Sequence, residues 1–450
     1  MPVEPEPQLV RIEKPIYGGA FLARMEGKAV FVPLTLPGEQ VRVRMVEDKR
    51  GYALAEAQEV LAAAAERVAP GCTHFGACGG CDYQHAHYEA QLGFKQAVLR
   101  ETLERGGVRA PEQIEVLAAN PWAYRNRIRL AVDGAGKIGY RGRRSHAVVA
   151  IAECPIAAPL LARAALAIGE MTAKAFLQLR GVDISLFCDA DEIALLAGIH
   201  SERPVKIVLE DFCAALSEKI PQLQGAELTN EGGAGETARS RSRAGARAGA
   251  RVGATTGAAT VARSGNTSLT YRAAGFAYRV DQGAFFQVNR WLVNGLVEAV
   301  TGGRQGGLAW DLFAGVGLFA RRLASSFARV VAVESAPGAT AALEHNLSGA
   351  EARAVKASTL EFLRRGRDGE RPDLPDLIVV DPPRSGLGEE TAALLAGVGA
   401  PALVYVSCDP ATLTRDLRAL VAAGYGIEKM TLADLFPQTF HLETVVHLRR

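Results

Sequence analysis

One cysteine follows the end of a predicted strand, which is the position where reactive groups lie in folds of alternating strands and helices. Val404, Tyr405 and Val406 form a short apolar run that predicts a strand, and Cys408 follows it closely. A helical pattern begins after Pro410. Ligands of open α/β sheets bind at the carboxyl ends of the strands, and a helix amino terminus lowers the pKa of a nearby thiol. Cys408 is therefore a candidate nucleophile, and a small buried hydrophobic residue is the alternative.

A second group of cysteines has a spacing suited to a soft metal centre. Three of them fall within ten residues, and a fourth precedes a proline further along the chain: Cys72, Cys78, Cys81 and Cys154. Thiolates bind zinc or iron–sulfur clusters, and the spacing alone leaves both open. Cys188 and Cys213 have no partner motif nearby, so we predict that both lie in the core.

Glycines and acids mark the ends of other predicted strands in the C-terminal part. Residues 308–450 alternate strand and helix patterns, which is typical of a doubly wound, mostly parallel sheet. The pattern DxxxGxG starts at Asp311, and Glu334 ends the next strand 23 residues later, where an acid typically holds ribose hydroxyls. NAD is one possible ligand of such a loop. The absence of GxGxxG, the acid Asp381 before two prolines, and Cys408 after the next strand favour S-adenosylmethionine.

Four motifs resemble, in the same order, those of the RNA uridine C5-methyltransferases. They are FFQVN at 285–289, DPPRSGL at 381–387, SCDPATLTRDL at 407–417 and HLETV at 441–445. The resemblance extends over nearly the whole chain. It implies a Rossmann-like class I methyltransferase domain, S-adenosyl-L-methionine as methyl donor and RNA as substrate.

The resemblance also implies roles for single residues. Cys408 corresponds to the nucleophile that adds to uracil C6, and Glu443 to the base that removes the C5 proton. Leu318 departs from the family, which often has Asn there. The positions that match the family's cofactor contacts are Gln287, Phe313, Glu334 and Asp381.

The N-terminal residues predict a small β-barrel that resembles a TRAM domain. Residues 8–60 form short strand patterns separated by glycine and proline turns. Such OB-like barrels bind oligonucleotides, and a structural spacer is the alternative.

The ribosomal members of the family carry a [4Fe-4S] cluster on the cysteine pattern found here. The resemblance therefore implies a structural cluster on Cys72, Cys78, Cys81 and Cys154.

These patterns predict a multidomain α/β protein in three parts. A TRAM-like barrel covers 1–62, a central iron–sulfur α+β domain that binds RNA covers 63–280, and the methyltransferase domain covers 281–450. An amphipathic helix at 85–107 is expected to pack on the methyltransferase domain.

Two further segments of the central part have unusual composition. Positive residues from 125 to 144 outnumber acids by seven to one and predict a groove for RNA phosphates. Residues 230–266 consist mostly of Gly, Ala, Ser, Thr and Arg, and predict a disordered insertion.

Composition restricts the partners and the compartment. The 450 residues carry a net charge of only +2, so any RNA surface has to be local. The sequence contains neither a long apolar run nor a secretory signal pattern, and its seven cysteines argue against a disulfide framework. We therefore expect a cytoplasmic monomer that binds RNA and no membrane.

The expected function is 5-methyluridine formation in RNA, with 23S ribosomal RNA as substrate and transfer RNA as the alternative. The barrel and the four cysteines resemble the ribosomal RNA enzymes more than the bacterial transfer-RNA enzyme.

Two other classes of protein stay open. An iron–sulfur radical methylthiotransferase also carries a TRAM domain, but its CxxxCxxC does not match C-x5-C-x2-C here. An idle RNA-binding module would not need Cys408 and Glu443.

Overall fold

The structure is a computed structural model and describes residues 7–230, 259–367 and 373–450. Over these residues the chain forms a barrel, then a central sheet, then a C-terminal sheet. Among the helices of the same residues, none is long and apolar enough to cross a membrane.

The N-terminal barrel forms because buried and exposed side chains alternate along its strands. The strands are β1 (Gln8–Pro15), β2 (Ala20–Met25), β3 (Lys28–Pro33), β4 (Gln40–Asp48) and β5 (Tyr52–Ala62). Val10 and Ile12 of β1 point inward, as do Val30 and Val32 of β3. The strands pair in the order β1-β2-β3-β5-β4 and close on themselves. The closed barrel confirms the predicted N-terminal fold.

A long helix and a short strand connect the barrel to the rest of the chain. They are α1 (Tyr88–Arg105) and β6 (Glu115–Leu117). The buried face of α1 carries Gln91 and Lys95 as well as Leu99 and Leu103. The two leucines pack into the core of the C-terminal part.

The central sheet is built mainly from antiparallel neighbours, with helices against it. Its elements are β7 (Arg127–Val132), β8 (Ile138–Arg141), β9 (Val148–Ala150), α2 (Pro159–Lys174), a 3-10 turn (Leu177–Leu179), β10 (Asp183–Cys188), β11 (Leu195–Ser201), α3 (Leu209–Lys219), β12 (Leu223–Asn230) and β13 (Ala259–Gly265). The strand order is β13-β12-β11-β10-β7-β8-β9. Cys188 is fully buried and Cys213 packs against the same core, as predicted.

Part of the predicted disordered insertion is a strand. The composition of 230–266 predicts disorder, but β13 pairs antiparallel with β12, with Ala259 opposite Asn230 and Gly265 opposite Gly225. The composition near 260 is poor in large apolar residues, yet a strand at a sheet edge needs only one neighbour for its backbone hydrogen bonds. Residues 231–258 lie outside the described part of the chain.

The C-terminal sheet has helices on both faces. Its elements follow a hairpin, β14 (Ser268–Ala273) and β15 (Phe276–Asp281), and are α4 (Val293–Thr301), β16 (Gly306–Leu312), α5 (Leu318–Leu323), β17 (Phe327–Glu334), α6 (Pro337–Asn346), β18 (Ala352–Lys356), α7 (Thr359–Arg367), β19 (Leu377–Val380), α8 (Glu389–Val398), β20 (Ala402–Ser407), α9 (Pro410–Ala422), β21 (Gly426–Ala433) and β22 (Glu443–Arg449). The strand order is β18-β17-β16-β19-β20-β22-β21-β6. Helices α4 to α6 cover one face, and α1 and α7 to α9 cover the other. This is the predicted Rossmann-like arrangement.

Two segments cross the predicted boundary after residue 280. Strand β6 pairs in parallel with β21 and completes the C-terminal sheet. The β14–β15 hairpin buries Tyr271 and Tyr278 in the same core as α4 and α5. The C-terminal core therefore includes the hairpin that starts at Ser268, and the C-terminal sheet also recruits a strand from the segment after α1.

Candidate active site

The predicted catalytic and cofactor residues come from the ends of neighbouring strands. β17, β16, β19 and β20 lie side by side and run in parallel, so Glu334, Phe313, Asp381 and Cys408 follow one another along the same edge. The antiparallel β22 begins at that edge, because Thr444 lies opposite Ser407. Glu443 is therefore brought next to them, although it comes from the end of the chain.

A glycine loop connects β16 to α5 at the cofactor end of this edge. Phe313, Gly315 and Gly317 all have positive φ, at 66°, 56° and 90°. For Phe313 this conformation is uncommon and needs support from its surroundings. The carboxylate of Glu334 accepts hydrogen bonds from the N–H groups of Gly315 at 2.9 Å and Ala336 at 2.7 Å. Glu334, at the end of the neighbouring strand, thus stabilises the glycine loop.

Asp311 lies under the same loop and is fully buried. One carboxylate oxygen accepts a hydrogen bond from the N–H of Ala320 at 2.8 Å, while Oδ1 has no partner among the described residues. Burial raises the pKa of Asp311 to about 7. A buried acceptor without a donor is costly, so the site fits a ligand that carries a hydrogen-bond donor.

Gln287 lies in the segment between β15 and α4. Gln287 is 7% exposed, and its backbone carbonyl oxygen accepts a hydrogen bond from Nδ2 of Asn126 at 2.9 Å. Asn289, two residues on, is completely buried, and its side-chain oxygen accepts from the N–H of Trp291 at 3.0 Å. The FFQVN motif is therefore fixed between the central sheet and α4.

The thiol of Cys408 lies among charged groups and is half-buried. Burial raises its pKa, and the carboxyl groups of Glu443 and Asp381 raise it further. Arg384 acts in the opposite direction. The net result is a raised pKa, opposite to the lowering that the position at the amino terminus of α9 predicts. Asp409 caps that helix and adds a negative charge of its own.

Glu443 and Asp381 form a pair of neighbouring acids beside the thiol. Glu443 is only 4% exposed, and its pKa is raised well above the usual value by burial and by the charge of Asp381. Burial raises the pKa of Asp381 to about 7. Two acids with raised pKa values next to a thiol are suited to move protons near neutral pH.

Two functional neighbours were missed by sequence reasoning. Nη2 of Arg384 lies 3.3 Å from Nδ1 of His441, whose ring centroid is 4.1 Å from that of Phe440. Burial, with Arg384 beside it, lowers the pKa of His441 to about 3, so the imidazole is neutral. Arg384 lies in the motif DPPRSGL and His441 in HLETV. These two motifs were the sequence signal that could have indicated them.

The loop at 434–442, which joins β21 to β22 and carries His441, is held by buried polar groups from other parts of the chain. Lys95 of α1 reaches Asp434 at 2.5 Å and the carbonyl oxygen of Phe436 at 2.9 Å. Nε2 of Gln91 donates to the side chain of Gln438 at 2.9 Å. Helix α1 thereby fixes the approach of the chain to Glu443.

The four predicted metal ligands lie in one part of the central domain. Burial is the main effect that raises the pKa of Cys72, Cys78 and Cys81. The charge of Cys154 raises all three further, by a smaller amount. Gly79 passes close to another strand, since a Cβ there would lie 3.0 Å from the carbonyl oxygen of Arg141. Across the described ranges, however, no three His, Cys, Asp or Glu side chains are arranged to hold a metal ion.

Several arginines of the predicted phosphate groove at 125–144 have partners within the protein. The guanidinium of Arg127 lies 4.1 Å from the ring centroid of Phe187. Arg129 and Arg141 pair with Asp183, at 3.1 and 3.2 Å. The partners of these arginines lie on β10. A count of the charges within 125–144 could therefore not reveal them.

Known proteins resemble this chain along its full length. Residues 266–450 match the tRNA (uracil-5-)-methyltransferase family, and residues 6–57 match the TRAM domain. The 23S rRNA (uracil(1939)-C(5))-methyltransferase of Halomonas elongata is 34% identical over 454 residues, covering 96% of this chain and 87% of that protein. An uncharacterized RNA methyltransferase of Streptomyces avermitilis is 33% identical over 463 residues, covering 98% of this chain and 97% of that protein.

A solved structure has the same fold throughout. It is the tRNA (uracil-54, C5)-methyltransferase of Pyrococcus abyssi in complex with S-adenosyl-L-homocysteine, with a TM-score of 0.73, 23% identity, and coverage of 98% of this chain and 99% of that one. A methylthiotransferase or an idle binding module does not account for relatives that align from end to end. The chain is an enzyme and belongs to the RNA uracil-C5 methyltransferase family.

Proposed function

We propose that this enzyme methylates C5 of a uridine in 23S ribosomal RNA, with S-adenosyl-L-methionine as methyl donor and a covalent adduct to Cys408. The observation that carries the proposal is the meeting of the thiol with Glu443 and Asp381 beside the glycine loop. The Halomonas elongata relative supports the ribosomal substrate. Transfer RNA is the second candidate, because the family matched by residues 266–450 is described by that substrate.

The glycine loop and its surroundings supply the groups to hold the methyl donor. We assign its contacts to Gln287, Phe313, Glu334 and Asp381. When bound, S-adenosyl-L-methionine supplies a methyl group on a positively charged sulfur. Leu318 is the first residue of α5, is 6% exposed and packs into the core. It therefore offers the methyl donor no polar contact in place of the family's Asn.

Cys408 has to lose its proton before it can act as a nucleophile. Burial and neighbouring carboxylates favour the protonated thiol in the resting site. Asp381 has a raised pKa, which makes it a stronger proton acceptor than an ordinary carboxylate, and it takes the thiol proton so that Glu443 stays ionised for the later step. The nearby positive charge of Arg384 favours the thiolate once the proton has moved.

The reaction then proceeds by covalent catalysis. The Cys408 thiolate forms a bond to uracil C6, and the electrons of the C5–C6 double bond move toward O4 as an enolate. C5 takes the methyl group as the bond from methyl to sulfonium breaks and S-adenosyl-L-homocysteine is left, so C5 briefly carries both the methyl group and its original proton. Glu443 accepts that proton, the C5–C6 double bond forms again, and the C–S bond breaks to return the thiolate. A uridine stacked in RNA has to flip out of its stack to reach these groups.

We further propose that Cys72, Cys78, Cys81 and Cys154 hold a structural [4Fe-4S] cluster, with zinc as the alternative. Four soft ligands in one part of the domain support this, since the charge of Cys154 acts on the thiols of Cys72, Cys78 and Cys81. In the described residues their arrangement does not meet the geometry of a metal site, so binding would require the four thiols to converge and lose protons. Anaerobically purified protein should be brown with roughly four irons per chain. Stoichiometric zinc without visible absorption would contradict the cluster.

A direct assay with two RNA substrates tests the reaction and its target. Purified enzyme is incubated with labelled S-adenosyl-L-methionine and either unmodified 23S ribosomal RNA or unmodified transfer RNA. We expect label in 23S RNA only, recovered as 5-methyluridine by mass spectrometry of nucleosides, and none with Cys408→Ala. Label only in transfer RNA would assign the second substrate. No 5-methyluridine in either RNA would refute the proposed reaction.

A further inference from the structure

Two aromatic side chains at the ends of one short segment are open to solvent. Phe285 is 44% exposed and Trp291 is 43% exposed, the largest values for any Phe, Tyr or Trp of the described ranges. Gln287 and Asn289 lie between them, and both are buried. Nδ2 of Asn289 donates at 3.3 Å to a carbonyl oxygen of the loop at 434–442. The segment that exposes the two rings therefore borders the candidate active site.

The indole of Trp291 is held in one orientation, although much of the residue is open. Its Nε1–H donates to the carbonyl oxygen of Trp122 at 3.0 Å, and its backbone N–H donates to Oδ1 of Asn289 at 3.0 Å. The guanidinium of Arg290 lies over the ring, 4.2 Å from its centroid. Trp122 is closely packed in turn, because a Cβ on Gly71 would come within 3.0 Å of its ring. An ordered ring loses little conformational freedom when a ligand binds to it.

Arg290 supports this ring and is itself tied to the fold. Its guanidinium donates to the carbonyl oxygens of Ala123 at 2.8 Å and Ala190 at 3.1 Å, and it pairs with Glu192 at 2.6 Å. Its side chain is only 6% exposed. A fixed cation thus covers one face of the Trp291 indole, which leaves the other face as the surface to which a ligand can bind.

An open aromatic face beside the active site of an RNA methyltransferase fits an unpaired nucleobase. Bases of single-stranded RNA stack on aromatic side chains, and every base has a π face. Four residues of backbone span at most about 14 Å, so Trp291 lies within that distance of Gln287 along the chain. We propose that Trp291 is a stacking platform for an unpaired base of the RNA substrate, in a nucleotide near the flipped uridine. The inference rests on the proposed methylation of a uridine.

RNA binding by variants at Trp291 tests the platform. Trp291→Leu removes the π face and keeps an apolar side chain, whereas Trp291→Phe keeps a π face. Leu177→Ala is the matched control, since Leu177 is 48% exposed in the central domain. The probe is unmodified 23S ribosomal RNA, or unmodified transfer RNA if the methylation assay identifies that substrate. We expect Trp291→Leu to weaken binding roughly tenfold, the effect of one lost stacked base, and Trp291→Phe to retain most of the affinity.

The salt dependence of binding separates stacking from a phosphate contact. A lost phosphate contact makes the slope of log Kd against log salt concentration shallower, whereas a lost stacked base does not. We therefore expect the same slope for Trp291→Leu as for the unmodified protein.

Two further measurements report the stacked base directly. The chain has three tryptophans, and a stacked base quenches indole fluorescence. Quenching by RNA should therefore decrease in Trp291→Phe, while the buried Trp310 contributes little to it. In the second measurement, RNA carries a single abasic nucleotide at each position around the target in turn. One such position should weaken binding to the unmodified protein and leave binding to Trp291→Leu unchanged, which identifies the stacked base.

Three results would overturn the proposal: unchanged RNA affinity in Trp291→Leu, an equal loss in Leu177→Ala, or a shallower salt slope in Trp291→Leu. The methylation assay separates this inference from the proposed function. Absence of 5-methyluridine with the unmodified protein refutes that function. Formation of 5-methyluridine together with full RNA affinity in Trp291→Leu refutes only the platform.

Discussion

At the scale of single residues, the acidity of the Cys408 thiol depends on the charges that the fold brings beside it. Sequence reasoning placed the thiol at a helix amino terminus and expected a lowered pKa. That helix is capped by the carboxylate of Asp409, and burial with Glu443 and Asp381 has the opposite effect. The motifs predicted which residues lie at this edge of the sheet. They could not predict the balance of charges, because the groups come from separate strands.

Arg384 is the cation that favours the Cys408 thiolate. Arg384→Met should therefore slow alkylation of Cys408 by iodoacetamide roughly tenfold at a given pH, equivalent to about one pKa unit. Arg384→Lys keeps the charge and is the control, with a rate near that of the unmodified protein. Peptide mass spectrometry identifies the modified cysteine. Faster alkylation in Arg384→Met would contradict this account of the thiol.

The pH dependence of the reaction should reflect the raised pKa values of the two acids. Burial raises the pKa of Asp381 to about 7, and that of Glu443 is also above its usual value. Both therefore retain a proton at acidic pH and cannot accept another. We expect kcat/KM to increase with pH through the neutral range. A profile that stays flat down to about pH 4, where ordinary carboxylates titrate, would show that these shifts do not govern the rate.

At the scale of elements, α1 acts as a support for the loop at 434–442. The apolar spacing of this helix predicted a packing face, and Leu99 and Leu103 lie on it. The same face also buries Gln91 and Lys95, which an apolar pattern cannot indicate. Their partners lie more than three hundred residues away along the chain. Long-range polar pairs of this kind become visible only in the folded structure.

The buried pair of Lys95 and Asp434 should be important for stability. Lys95→Met leaves the Asp434 carboxylate buried without its cation, which we expect to lower the free energy of unfolding by about 3–5 kcal/mol. Urea denaturation measures this change. Lys14→Met is the control, since the pair of Lys14 with Glu101 is 44% and 36% exposed and such pairs contribute less than about 1 kcal/mol. Equal effects of the two substitutions would contradict the structural role of the buried pair.

The pairing of β12 with β13 predicts where the chain tolerates deletion. Asn230 and Ala259 lie opposite each other in antiparallel strands, so a short Asn-Gly turn can join them. Removal of 231–258 with this turn should leave the melting temperature unchanged. Removal of 230–266 also deletes β13 and should lower it. Thermal unfolding followed by circular dichroism compares the two proteins, and an equal loss in both would refute the prediction.

At the scale of the whole molecule, the sequence predicted each part better than the contacts between parts. Strand and helix periodicities are local, so they indicated the barrel and the C-terminal α/β sheet correctly. They could not indicate that β6 completes that sheet or that the β14–β15 hairpin enters its core. The contact of Tyr17 with the 434–442 loop is equally non-local. The candidate active site therefore lies on the C-terminal sheet, beside a loop that α1 and the barrel both contact.

The central claim is that Cys408 forms a covalent bond to the uridine and that Glu443 removes the C5 proton. Glu443→Gln should still permit addition to C6 and methyl transfer, but C5 keeps its proton and elimination stops. We expect a denaturation-resistant protein–RNA adduct that carries the new methyl group and maps to Cys408 by mass spectrometry. Normal turnover by Glu443→Gln, or an adduct that maps to Cys188 or Cys213, would contradict the mechanism.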